Sequence, residues 1–155
     1  MNVLSVFNRY KVQIVDDKIF DPIREKYVHL TPEEIVRQKT LKFLMKRLGV
    51  PANKIIVERG LRTLGVEGSS KRIDIGILDD DDLIMAVVEC KASLAHNDEA
   101  ASRQAQDYLL QLNTRYFFVT DGSVFNGYYY DTTQFIRLAK IPKYDQWYNY
   151  PKAEE

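Results

Sequence analysis

The chain has 155 residues, 45% hydrophobic and 28% charged, with 22 basic and 22 acidic side chains in balance. This is the profile of one globular domain: no apolar run approaches the roughly 18 residues of a membrane span, and a zero net charge rules out a globally basic nucleic-acid binder. A lone cysteine excludes an internal disulfide, and the first residues lack a basic segment followed by an apolar core and a cleavage site, so a cytoplasmic protein without membrane contact is expected.

In chain order, "RYKVQIV" (9–15) and "REKYVHL" (24–30) read as strands, separated by turn residues Asp16, Asp17 and Pro22. A helix is predicted over 32–48. Thr31 is a good N-cap, Pro32 suits the first helical position, and Glu34 completes a T-x-x-E capping box. Leu41, Leu44, Met45 and Leu48 fall at helical spacing, and Gly49 and Pro51 stop the helix. "KIIVERGL" (54–61), "KRIDIGIL" (71–78) and "LIMAVVECKA" (83–92) are three strands, the last two joined by a turn at "DDDD" (79–82). The third is apolar on both faces, as a central strand would be. A second helix is expected over 97–113 with Asn97 as N-cap, then a buried strand in "RYFFVTDG", a hairpin of "VFNGYYYD" and "QFIRLAK", and a tail packed by its aromatics. The order implies an α/β fold, a mixed central sheet with helices on both faces.

Charge is unevenly spread. Residues 37–72 carry Arg37, Lys39, Lys42, Lys46, Arg47, Lys54, Arg59, Arg62, Lys71 and Arg72 against only Glu58 and Glu67, whereas 79–99 is mainly acidic. A basic face can therefore coexist with a neutral total, although ordinary solvated faces give the same counts.

The chemistry concentrates around "RIDIG" and "VVECKA". Ile73, Ile75 and Ile77 are expected on one face of their strand, with Asp74 and Gly76 on the other. The "DDDD" turn brings Asp74 back beside Glu89, and alternation puts Lys91 on the side of Glu89. Two carboxylates on adjacent central strands repel each other and cost desolvation, which a divalent cation removes. Mg²⁺ takes hard oxygen ligands, typically one or two carboxylates with water and phosphate oxygens. A structural ion cluster is the competing reading, but buried ion pairs contribute little to stability and can cost it. His29, His96 and Cys90 make no zinc site.

Asp74 followed by Glu89-Cys90-Lys91 resembles the D…(D/E)-x-K signature of the PD-(D/E)xK nuclease superfamily. Within it, "FDPIREKYVHLTPEEIVRQ", "KRIDI", "VVECKA", "QAQDY" and "YFFVTDG", spread over about 20–130, resemble the N-terminal nuclease domain of type I restriction enzyme R subunits. The resemblance implies a restriction-endonuclease-like fold forming a single domain over 1–155, its core about 20–140 and its tail 141–155. It further implies Mg²⁺-dependent cleavage of DNA as an endonuclease, with Mn²⁺ as a substitute. Asp74 and Glu89 would hold the metal, with the backbone carbonyl of Cys90 as a further ligand, and Lys91 would orient or activate water. Glu34 matches an assisting acid of the first helix. Gln104 and Tyr108 match a Q-x-x-x-Y element. Arg72 and the basic first helix, Lys42 included, would hold the DNA backbone. DNA is the expected partner, alongside a second copy of the chain or other subunits of a restriction system. There are two departures. Ile73 stands where the superfamily often has proline, and the sequence stops where those subunits continue into a helicase motor, so coupling to translocation is expected to lie outside it. The alternative reading is a nucleic-acid-binding or regulatory module that keeps the fold without cleaving.

Overall fold

In this computed structural model, residues 1–93 and 109–149 are described. A short helix, α1 (Leu4–Phe7), buries Val3 and Phe7 completely. A small antiparallel sheet follows, made of β1 (Ile14–Val15), β2 (Lys18–Asp21) and β3 (Lys26–His29) in that order. The sequence reading paired 9–15 directly with 24–30. The structure shortens the first of these strands and inserts β2 between them. The segment "KIFD" concealed its strand because one of its two inward side chains, beside Ile19, is the carboxylate Asp21. The β1–β2 turn passes through Asp16 at φ 55, a left-handed conformation that Asp tolerates.

Helix α2 (Pro32–Lys42) begins as predicted, with the Thr31 hydroxyl accepting the Glu34 N–H at 3.0 Å. Only half of the capping box forms, because the Glu34 carboxylate turns to cationic partners instead. The helix runs on into a wider π turn over Phe43–Arg47 and ends at Gly49, whose φ of 75 suits glycine. Thr40 and Leu41 before the wide turn and Phe43 and Leu44 within it are all fully buried.

The central sheet has six strands in sequence order: β4 (Ile55–Gly60), β5 (Arg72–Leu78), β6 (Ile84–Cys90), β7 (Tyr116–Thr120), β8 (Phe125–Tyr130) and β9 (Phe135–Arg137). Every neighbouring pair is antiparallel except β6–β7. A parallel pair needs a crossover. Most of the helix predicted over 97–113 falls in that crossover, outside the described residues, as do Asn97, Gln104 and Tyr108; residues 109–111 are helical and Leu109 is buried. The expected mixed α/β sheet is therefore present.

Apolar side chains cover both faces of the sheet. One cluster joins Ile75, Ile77, Ala86, Val88 and Phe118 to Leu41 of α2 and to Phe43 and Leu44 of the π turn. The other joins Ile73, Val87, Phe117 and Val119 to Leu61 and Leu109. Each fully buried side chain of this kind contributes roughly 1.5–3 kcal/mol. Ile73 does not share the face of Ile75 and Ile77, contrary to simple alternation. A Cβ added at Gly76 would lie 2.9 Å from Ile73 Cδ1 and 2.8 Å from Ile56 Cγ1, so Ile73 turns to the side of Gly76. The break coincides with Glu58 on β4, at φ 54, where the ladder passes from Val57↔Ile75 to Arg59↔Ile73 and skips the residues between. A left-handed residue inside a strand kinks it and re-aims its neighbours, as bulges do.

Candidate active site

The kink falls at Asp74. The last paired residues of β5 and β6 at this end are Ile75 and Val88, so the next step along both strands brings Asp74 and Glu89 abreast. The Cys90 N–H donates to Asp74 Oδ2 at 2.8 Å, and Arg37 Nη2 donates to Oδ1 at 3.3 Å. Burial pushes the Asp74 carboxyl up and the neighbouring Glu89 pushes it further; the Cys90 N–H and Arg37 pull the other way, and the result is a value of about 7. Asp74 thus sits where its charge is opposed by both its surroundings and its neighbour.

Lys91 follows immediately after β6. Its N–H donates to the Thr120 carbonyl at 2.9 Å, which continues the tie to β7. Its ammonium lies 3.8 Å from Glu89 Oε2, and its side chain is 41% exposed against 14% for Glu89, so the cation faces the outside of the pair. Cys90 meets Asp74 through its backbone. Its thiol is wholly buried, 3.9 Å from the Thr40 hydroxyl, and burial raises it well above the ordinary thiol range, as in an inert core residue.

Glu34 stands one guanidinium away from Asp74. It accepts from Arg37 Nη1 at 2.7 Å, Arg24 Nη2 at 3.1 Å and Gln38 Nε2 at 3.2 Å. Arg72 lies at the rim, its side chain 68% exposed and 3.9 Å from Glu58 Oε2. Lys42 lies apart: it donates to the Lys11 carbonyl and sits about 12 Å along the helix axis from Glu34 at 1.5 Å rise per residue. The structure therefore gathers Asp74, Glu89, Cys90, Lys91, Glu34 and Arg72.

Among the described residues no three His, Cys, Asp or Glu side chains converge into a ready metal cluster. The Asp74–Glu89 pair nevertheless fits Mg²⁺, which takes one or two carboxylates and fills its remaining positions with water and phosphate oxygens. The raised Asp74 is the observation that favours the fit, since a dication offsets both causes of the shift.

Residues 32–142 match the family described as type I restriction enzyme R protein N terminus. The chain belongs to that family. The matched span starts and ends later than the 20–130 read from motifs, so it omits the small sheet and takes in β9. A solved fragment described as an HsdR subunit of a type I restriction enzyme, from Vibrio vulnificus YJ016, shares the fold with a TM-score of 0.50 at 21% identity. The alignment covers 70% of this chain and 23% of that one, so the chain spans under a quarter of that fragment. No curated protein matches.

Two residues of this R-protein N terminus went unassigned in the sequence reading. Arg37 is 5% exposed and ties Glu34 to Asp74 and to Glu58, with its Nη2 2.5 Å from Glu58 Oε1. It was counted only as one basic residue in a run. Its i, i+3 spacing from Glu34 was the available signal. Glu58 lies opposite Asp74 outside the ladder, and a single acid in the otherwise apolar start of "IIVERG" was its only mark.

Proposed function

We propose that this domain hydrolyses DNA phosphodiester bonds as a Mg²⁺-dependent endonuclease, with Mn²⁺ as a substitute. The carrying observation is the partly buried Asp74 beside Glu89, raised to about 7, with the Lys91 ammonium next to Glu89. Asp74 and Glu89 hold the cation, and the carbonyl of Cys90 is available as a third oxygen. Bound Mg²⁺ supplies Lewis-acid polarisation of the scissile phosphate and lowers the pKa of its water. Lys91 orients that water and stabilises negative charge developing on the phosphate. Glu34 acts through Arg37 on Asp74. Arg72 and Lys42, with Gln104 and Tyr108 from the crossover, contact the DNA backbone. Family membership supports this reading, and it makes other subunits of a type I restriction system the natural partners, alongside a second copy of the chain.

One observation favours the alternative, a module that binds nucleic acid without cleaving it. Arg37 already gives Asp74 a cation without any metal. Plasmid nicking with Mg²⁺ and with EDTA separates the two. Cleavage that needs the metal, with a metal-dependent rise in thermal midpoint that disappears in Asp74→Ala, supports the nuclease. Salt-sensitive binding without cleavage supports the module.

A further inference from the structure

Arg37 reaches carboxylates on three separate elements: Glu34 on α2, Glu58 on β4 and Asp74 on β5. The three contacts are unequal. Nη1 lies 2.7 Å from Glu34, while Nη2 lies 2.5 Å from Glu58 and 3.3 Å from Asp74. Nε is buried and has no hydrogen-bond partner among the described residues. The guanidinium is thus aimed by its carboxylates, and Asp74 is its loosest hold. Asp74 Oδ2 has its own donor in the Cys90 N–H, and Oδ1 is the oxygen Arg37 occupies.

Resting on the metal-site reading above, we infer that Arg37 is a resident counter-cation that competes with a dication for Asp74, and that Glu58 is the anchor that holds it back. Without metal, Arg37 partly neutralises Asp74. When a dication takes Asp74, the guanidinium gives up its 3.3 Å contact and remains on Glu34 and Glu58. Glu58 suits this role because it stands opposite Asp74 where the ladder skips both residues, and its left-handed backbone keeps it out of the strand pairing. Arg37 is then a positioning residue, and it sets how readily the site accepts metal.

The two positions carry opposite signs. Arg37→Gln removes the competitor and tightens dication binding. Glu58→Gln removes the anchor, lets Arg37 close on Asp74 and weakens dication binding. Each shift is expected at roughly tenfold or more, the scale at which groups supporting metal ligands act. Lys143→Gln removes an equal but exposed charge, next to Tyr144 at the Leu78 end of β5, and shifts affinity much less, because distance, solvent and salt screen it.

The test is calorimetric titration of the whole chain with Mg²⁺ and Mn²⁺ in the absence of DNA, with thermal midpoints recorded at each metal concentration. Wild type, Arg37→Gln, Glu58→Gln, Lys143→Gln and Asp74→Asn are compared. Glu58→Gln keeps the test decisive if Arg37→Gln does not fold, since the Glu58 side chain is a quarter exposed. Opposite shifts for Arg37→Gln and Glu58→Gln, or weakened binding in Glu58→Gln alone when Arg37→Gln is unfolded, with Lys143→Gln near wild type, bear the inference out. If Asp74→Asn abolishes binding but Glu58→Gln binds like wild type, or shifts in the same direction as Arg37→Gln, the inference falls and the metal site stands. If Asp74→Asn binds as wild type does, both fall.

Discussion

The small sheet and the central sheet each bury an aspartate, and the two behave oppositely. Asp21 at the end of β2 is completely buried, whereas the Asp74 side chain is 15% exposed. Burial raises both. At Asp21, donation from the Arg24 backbone and side chain and from Gln38 more than compensates, and the carboxyl ends below its ordinary value. At Asp74, Glu89 adds to the effect of burial, and the donors do not make up the difference. Degree of burial therefore does not decide the direction in which a carboxyl is shifted. The surroundings do: the donors around Asp21 outweigh its burial and lower it, while at Asp74 the second acid outweighs the donors and raises it.

The largest contrast is in rate. Lys91→Ala should lower metal-dependent cleavage by about 10²–10⁴-fold with the fold intact, the usual loss for one such group. Lys91→Arg should rescue poorly, because a planar fork replaces a compact charge. Equal cleavage by wild type and Lys91→Ala in a plasmid assay would remove the site from this end of the sheet.

Stability should discriminate next. Arg24→Ala strands the buried Asp21 and should cost about 3 kcal/mol in urea melts, the lower end for breaking a buried pair. Asp74→Asn removes an opposed charge and should be neutral or stabilising at pH 7 without metal. A large loss at Asp74→Asn would erase the contrast.

The pH profiles should slope in opposite directions. Asp74 holds its proton more tightly folded than unfolded, so its contribution falls as pH rises from near 3.8 to about 7, by at most about 1.4 kcal/mol per pH unit. Asp21 is lowered, so its contribution is present above its ordinary value of 3.8 and is lost as pH falls through its folded value below that. Metal-free melts across pH 2–8 should show the first limb flattened in Asp74→Asn and the acid limb flattened in Asp21→Asn.

The smallest effect concerns the rim. Arg72→Ala should reduce the slope of log affinity against log salt by about one phosphate contact, roughly 0.9 for duplex DNA. An unchanged slope would place the DNA path elsewhere.

Much of this was legible in the sequence. Strands β4 to β9 were marked by apolar runs between turns, and α2 by Thr31 and Pro32. Asp74, Glu89 and Lys91 were found because strand order, turn position and alternation all bring them to one end of a hairpin. Strand β2 was lost because its inward Asp21 breaks the apolar pattern, and its donors, Arg24 three residues on and Gln38 of α2, explain that break. The face of Ile73 was misassigned because alternation assumes a regular ladder, and the kink lies in the neighbouring strand at Glu58. Arg37 was missed for a related reason: two of its three carboxylates are contributed by distant strands, and no local spacing records them.

The stretch 144–155 is expected to pack through its aromatics; residues 150–155 lie outside the described residues, and within 144–149 Trp147 is wholly buried against Tyr116 and Phe118, its Nε1 donating to the Pro142 carbonyl at 3.0 Å. Tyr144 donates to the Leu78 carbonyl at 2.8 Å, and Tyr148 accepts the Asp80 N–H at 2.7 Å, so this segment clasps the turn between β5 and β6. Asp74 and Glu89 lie at the other end of the same hairpin. Because Trp147 is the only tryptophan in the sequence, its emission is an intrinsic optical reporter for that clasp. A red shift would register loosening of the turn end, while metal binding at the far end is followed independently by calorimetry.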